Sequence, residues 1–571
     1  MKRILALTLA ALMLTGCGSK TIAVVTETTA PPQTEAPVAV IPEENSHPYE
    51  SRFADATLIT LSDEGITVEG NQEAVFTSND IVYYEDKDAY ESGNPYGDGE
   101  SHEKHSAEEA AAHTVVNITQ PGAYTLTGTL SAGQIRVDLG LDAYEDPNAV
   151  VELNLMGVDI TCTVAPAILF QNVYECDGNW SEENAKPDVD TSAAGANLIL
   201  ASGGNRISGS HVAKIFKDKD GEKKLWKQDG AIYSYMSMNV FGPGALELTA
   251  DNEGMDTELH LTINGGDINI YSDNDGINTN EDNVSVTTIN GGNIRILAGL
   301  GKEGDGIDSN GYLVINGGTV ISMANPAADA GLDSDLGSFI HGGTVIALGS
   351  TMDWAESDSR QVTMNLQFAQ YQTPGSTITI TDVQDSPLFT FAPAEDPVLK
   401  EHLRQYRGVI FSSPALQQGQ TCHVYVDSVQ MQYTGTDLGG FGPGRMPGGF
   451  GPGQMPEGME FPDGFTPGEM PEGMAFPDGF TPGEMPEGFE PGERDGNFSF
   501  PQDGELPEGF DPSQFGGRGP NGQDRKPPEG FGGERPSFSD APGQTSSGTT
   551  STEFYMTDMV NAFSGIAPVS V

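Results

Sequence analysis

Acidic and amide side chains recur at one register through the middle of the chain. Two residues after a glycine stand Asp256, Asn278, Asp308 and Asp333, and four residues after it stand Glu258, Asn280, Asn310 and Asp335. Between them Met255, Ile277, Ile307 and Leu332 alternate with Thr257, Thr279, Ser309 and Ser334, which is the period-2 pattern of strands with one apolar face. If such strands stack about 4.8 Å apart, the oxygens facing away from the core form a vertical ladder. Bare carboxylates at that spacing repel by on the order of 1 kcal/mol per pair even in water. Calcium relieves this, since it takes about six to eight oxygen ligands from carboxylates, amides and backbone carbonyls. The expected ligands are Asp256, Asn278, Asp308, Asp333 and Asp335, with the turn acids Asp251, Glu253, Asp273, Asp275, Glu303, Asp305 and Asp329 just upstream. No His or Cys falls in the register, which disfavours zinc. The alternative is a solvated acidic face with no ion.

Other residues carry weaker signals. His102-Glu103-Lys104-His105 with His113 has no metalloprotease spacing and reads as a solvated loop. Lys302, beside Glu303 and Asp305, is either a salt-bridge partner or a base able to remove the proton α to a uronate carboxylate. Tyr233 and Tyr235 precede the acid register by one repeat, and Trp180 and Trp226 lie in polar stretches; exposed rings of this kind stack on sugar faces.

The elements that must position the acids are repeats. Ile263-Asn264-Gly265-Gly266, Ile289-Asn290-Gly291-Gly292, Ile315-Asn316-Gly317-Gly318 and Ile340-His341-Gly342-Gly343 recur with a period of about 26 residues, each followed by a short alternating run such as Asp267-Ile268-Asn269-Ile270. At least two short strands per repeat and no amphipathic helix describe an all-β solenoid, each repeat one coil stacked on the next. Asn264, Asn290 and Asn316 share a position, so their amides are expected to form a hydrogen-bonded ladder in the interior turn, which His341 ends as a structural residue. Fainter coils lie at 122–137, 149–161, 196–207 and 229–248, and polar excursions at about 84–112, 171–192 and 215–227. The solenoid accounts for 51–350, and a small β-domain for 351–435. A Gly/Pro/Met/Phe-rich acidic tract at 436–551 has the composition of a disordered insertion, and 552–571 packs back on the β-domain.

The N-terminus reads Lys2-Arg3, an apolar run from Ile4, then Leu14-Thr15-Gly16-Cys17, the order of a bacterial lipoprotein signal peptide (1–17) with Cys17 as the lipidation site; 18–50 is a disordered tether. That places the chain on the extracytoplasmic face of the cell membrane, held by lipid, as a monomer. In that oxidising setting Cys162 and Cys176 are close enough in sequence for a disulfide. A net charge of −56 argues against nucleic acid as a partner and favours cations.

Together the opening GAYTLTGTLSAGQIRV at 122–137, Asp229-Gly230-Ala231-Ile232-Tyr233-Ser234, the acid-Gly-Ile-Asp/Asn-Ser/Thr elements and the Ile-Asn-Gly-Gly corners resemble a family of calcium-binding β-helix proteins of bacterial surfaces, carbohydrate-binding and related in fold to pectate lyases. The resemblance spans roughly 55–430. It implies an all-β fold, a right-handed parallel β-helix, with several calcium ions and calcium-dependent binding of a plant-type (cellulose-like) or acidic polysaccharide, without demonstrated lyase turnover. Ala330 departs from it, standing where the other coils carry an acid before the glycine. Two other readings share these residues: a calcium-assisted polysaccharide lyase with Lys302 as base, and a structural adhesin or cell-wall spacer. Replacing Cys17 by Ser should move the protein from the membrane fraction to the soluble one; an unlipidated wild type and a membrane-retained variant would remove the anchor.

Overall fold

The computed structural model describes residues 49–83, 105–201, 203–217, 223–350, 352–435 and 550–569. Cys17, His102 to Lys104, and nearly all of the tether and of the 436–551 tract lie outside them, as does the side chain of Trp226. Among the described residues no helix is long and apolar enough to cross a membrane.

The chain is mostly β, in long parallel sheets of the kind a β-helix makes. Each central coil gives one strand to each of three parallel ladders. One runs through Ala245–Ala250, Asp267–Ser272, Asn293–Leu297, Thr319–Met323 and Thr344–Gly349. A second runs through Ala196–Leu200, Met238–Phe241, Leu261–Ile263, Val286–Ile289, Tyr312–Ile315 and Gly337–Ile340. The third joins Ile168–Asn172, Gly230–Ser234, Glu253–Thr257, Ile277–Thr279 and Ile307–Ser309.

Like residues stack on like because the register never slips in these coils. Leu198, Val240, Ile263, Ile289, Ile315 and Ile340 pair in succession, and all are fully buried. Each such side chain contributes about 1.5–3 kcal/mol by leaving water. The amide ladder forms alongside, and it runs from the interior to the surface, Asn264 being buried, Asn290 half-exposed and Asn316 exposed: Asn290 Nδ2 donates to Asn264 Oδ1 at 2.9 Å, and Asn316 Nδ2 to Asn290 Oδ1 at 2.8 Å. The second glycine of each corner has positive φ, 107° at Gly266, 90° at Gly292, 78° at Gly318 and 84° at Gly343.

The polar stretch near 215–227 is largely a β-hairpin, Val212–Lys217 against Lys223–Gln228. Beyond the last coil, Tyr406–Ser412 lies antiparallel to both Thr344–Gly349 and Thr363–Gln372. Val560–Pro568 then pairs in parallel with Thr363–Gln372. A second core gathers here around Phe368, Tyr406, Phe411, Phe554 and Phe563.

A Cβ added at Gly318 would sit 2.6 Å from the carbonyl oxygen of Gly292, whereas at Gly419, with φ 82°, it would meet nothing within 4 Å. Gly318→Ala should therefore lose about 1–3 kcal/mol more than Gly419→Ala, because both carry the backbone strain and one adds overpacking. Urea denaturation of the two variants checks this, and equal losses would contradict the close stacking of corners.

Candidate metal centre

Strand pairing puts Tyr233, Asp256, Asn278 and Asp308 in one register, and Asp333 N donates to Ile307 O at 2.8 Å in the next coil. Met255, Ile277 and Ile307 fill the core, so the acids project the other way, as the alternation requires. That side is not open to water. Asp256 is 0% exposed, Glu253 3%, Asn278 5% and Asp275 8%. The outward acidic face expected from the sequence is, in its upper part, a buried column. The strand Lys223–Gln228 leads directly into it, bringing the Lys227 ammonium into an ion pair with Asp229, itself 1% exposed.

One carboxylate oxygen from each of Asp229, Glu253 and Asp256 lies within 4.8 Å of the others. Asp229 Oδ1, Glu253 Oε2, Asp256 Oδ2 and Asn278 Oδ1 are buried and accept no hydrogen bond. Three carboxylates thus face one ammonium. Burial, and then Asp229, push the Glu253 carboxyl up to about 8. Asp256 is driven well above the carboxylate range by burial first, then by Glu253 and Asp229. Without a cation such groups are forced to hold protons; with one, their lone pairs become ligands. The donors are all oxygen, which suits a hard cation such as calcium and not zinc.

The column continues downward on different terms. Asp275 Oδ1 accepts from Asp305 N at 2.6 Å, and Asp305 Oδ1 from Ala330 N at 2.5 Å, so the acid missing at Ala330 is met by a backbone amide serving its neighbour. Asp275 and Asp305 are both raised well above their usual range, by burial first. Asp308 and Asp333 are half-buried, and Asp333 is raised by burial. Asp353 ends the column: it accepts from Ser334 Oγ at 2.7 Å and is pushed up to about 8 by burial, with Asp333 adding to the shift.

Several expected ligands stand apart. Asp251 is exposed, with its carboxylate taken by Ser210 Oγ at 2.5 Å and His211 Nδ1 at 3.1 Å. Asp273, Glu303 and Asp335 are exposed, and Asp329 is half-buried, accepting from Gly304 N at 2.8 Å. Lys302 is exposed in the loop before Gly304, and the ammonium among the buried acids is that of Lys227.

The stacking roles of Tyr233 and Tyr235 must be corrected. The first is 0% exposed and donates its hydroxyl to Glu258; the second is 4% exposed and accepts from Gln228 Nε2 at 3.1 Å. Tyr233 shares the acid register and is enclosed with it, so no sugar reaches its ring. The Cys162–Cys176 bridge is also absent, both being free thiols. Cys162 belongs to the solenoid core, where burial pushes its thiol up to about 12, while Cys176 packs in the excursion beside Glu175 and Ser237. Trp180 Nε1 donates to Tyr144 Oη at 2.9 Å, so it too is engaged within the fold. Of the histidine run, His105 pairs with Glu109 at 3.2 Å, and buried His113 accepts from Thr163 N at 3.2 Å.

Asp229 was not among the expected ligands. Asp229-Gly230 has the acid-Gly pattern, but Ala231 is an extra residue, so Gly230 pairs with Glu253 and not with Gly254. The signal was present one position out of register.

Comparison with known proteins bears on this same stretch. Residues 112–386 match the family described as carbohydrate-binding domain-containing protein. The matched segment holds the whole acid column. A curated protein of that description from Acetivibrio thermocellus is 32% identical over 156 residues, which is 27% of this chain and 44% of the relative. The chain therefore spans less than half the length of that relative. A solved structure, the polysaccharide lyase-like protein from C. thermocellum as a gadolinium derivative, is 22% identical and aligns over 51% of this chain and 94% of its own, with a TM-score of 0.30.

The shifted carboxyls fix the sign of a pH effect. Glu253 moves from an ordinary 4.5 to about 8, so in the absence of cation the folded state holds protons that the unfolded state has released. That stability is complete below the unfolded value and is lost as pH rises through about 8. In chelator the melting temperature should fall between about pH 5 and pH 8, and calcium should flatten the slope. Asp256→Asn should raise the chelator curve at pH 8 and lose most of the calcium-induced gain. A melting temperature indifferent to both pH and calcium would remove the metal.

Proposed function

We propose that this protein is a calcium-loaded carbohydrate-binding protein of the bacterial surface, built on a right-handed parallel β-helix and anchored by lipid on Cys17. The observation that carries the reading is the set of buried oxygens of Asp229, Glu253, Asp256 and Asn278 that accept no hydrogen bond, lying inside the segment that matches the carbohydrate-binding family. Right-handed crossovers are the near-universal choice for parallel strands joined within one sheet.

Calcium would be held by Asp229, Glu253 and Asp256, with Asn278 Oδ1 beside them. When bound it supplies positive charge to a region short of it. These ligands come from three successive coils, so the ion ties coils together. A centre with Asp256 at 0% exposure has no face to offer a sugar, and calcium dependence acts through the stability of the solenoid. The net charge of −56 argues against nucleic acid as a partner.

Retention on a panel of neutral and acidic polysaccharides, with calcium and with chelator, tests the function. The expected result is binding in calcium, weakened at temperatures where the chelated protein has begun to melt. A saturable site at 100 times its Kd would add about 2.7 kcal/mol to folding. Ultraviolet absorbance is read in parallel, and its steady growth from unsaturated products would replace the binding reading with a lyase.

A further inference from the structure

We propose that the second parallel ladder carries the sugar-binding platform, on which Tyr312, Phe339 and His341 stack against an uncharged pyranose chain while the Asn290–Asn316 amides meet its hydroxyls. The proposal rests on the carbohydrate reading above and assigns it a surface.

Leu261, Ile263, Leu313 and Ile315 point into the core, so the alternate residues of this ladder face outward. Its upper part is covered. Thr191 Oγ, from the 171–192 excursion, lies 2.7 Å from both Asn239 Oδ1 and Thr262 Oγ, and Asp177 Oδ2 lies 3.5 Å from His260 Nε2. Asn239 and His260 are accordingly 1% exposed and Thr262 6%. One coil further on the cover becomes partial: Val286 and Val314 remain buried, Thr288, Asn290, Tyr312, Phe339 and His341 are half-exposed, and Asn316 is exposed. The fold thus leaves a partly open strip beginning where the excursion stops.

The chemistry of that strip differs from the rest of the chain. The ring of Tyr312 is centred 6.1 Å from that of Phe339 and tilted 50° to it, and Phe339 is 6.2 Å from His341 and tilted 45° to it, a run of neighbouring rings that are not coplanar. Gly337 stands opposite Tyr312 in the register, and the place a side chain there would take is filled by that of Glu356, whose Oε1 lies 3.2 Å from where a Cβ would be. The amide ladder runs beside them, and Asn316 Oδ1 is its terminal acceptor on the exposed side. On a protein of net charge −56, the outward positions of Leu261–Ile263, Val286–Ile289, Tyr312–Ile315 and Gly337–Ile340 hold no carboxylate. Burial and the neighbouring Arg360 lower the His341 imidazole. Flat apolar rings edged by neutral amides match a pyranose, which presents C–H groups on its faces and hydroxyls around its rim. At the edge of the strip Arg360 beside His341 and Glu356 beside Gly337 bring one charge of each sign, so the strip has no net positive charge to favour a uronate and the uncharged polymer is the better fit.

The test uses the full chain with calcium bound. Calorimetric affinities are measured for neutral β-linked hexasaccharides (glucan, xylan and mannan) and for an oligogalacturonate, with melting temperatures recorded for every variant. Tyr312→Ala and Phe339→Ala should each weaken the neutral oligosaccharide about tenfold, as loss of one ring stack implies. Phe339→Tyr should keep the affinity, and Phe339→Leu, which keeps bulk without a flat ring, should lose it. Tyr555→Ala removes a ring that is 49% exposed elsewhere and should change nothing. A wild type that binds a neutral glycan as tightly as all of these variants do would overturn the platform and leave carbohydrate binding standing. Binding of oligogalacturonate alone would overturn the choice of an uncharged ligand, and a wild type that binds no glycan would overturn both proposals.

Discussion

The arrangement depends on negative charge stacked where water cannot reach it. A parallel β-helix repeats each residue position at the strand spacing, so whatever one coil places at a register is multiplied by its neighbours. For isoleucine this produces a core, and for asparagine a hydrogen-bonded ladder. For aspartate it produces repulsion that grows with each coil. The cluster of Asp229, Glu253 and Asp256 carries that repulsion where burial is most complete, with Lys227 as partial compensation. Lower in the column backbone amides do part of the same work, as when Ala330 N meets Asp305. The local sequence differs coil by coil, yet the electrostatic problem is shared.

Much of this was legible in the residues themselves. The Ile-Asn-Gly-Gly corners specified the coil period, the positive-φ glycines and the amide ladder, because each follows from a residue type repeated at one spacing. Alternation in Glu253–Thr257 and Ile277–Thr279 correctly separated core from acid. It could not say what lies over the acids. Their cover comes from Lys227 and Asp229 at the end of a hairpin, and alternation within one strand carries no information about that. The same gap explains Tyr233. Its register with Asp256 was visible only after allowing for Ala231, and a tyrosine in a buried acid column is a hydrogen-bond donor to Glu258. Cys162 and Cys176 are near in sequence, but one belongs to the core and the other to an excursion.

On the readings proposed above, the two ladders divide stability and recognition between them. The upper part of the acid column is enclosed, so there its chemistry acts on the fold. The aromatic and amide strip is half-exposed, and the charges at its edge, Glu356 and Arg360, are of opposite sign. A rigid sheet suits the second task, since the rings are fixed by strand register before any ligand arrives and little ordering remains to oppose binding.

The antiparallel strand Tyr406–Ser412 has a consequence for self-association. A parallel ladder that stopped at Thr344–Gly349 would expose a row of unpaired amides and carbonyls, a template onto which the first coil of a second molecule could add, and so on without limit. Here the direction of the chain reverses at that edge, and Thr363–Gln372 and then Val560–Pro568 continue the sheet beyond it. At the opposite end Val75–Ser78 runs antiparallel to Thr114–Ile118. Both ends of the stack are thereby made unlike its middle, which turns an architecture with the repeat of a fibril into a molecule of finite length.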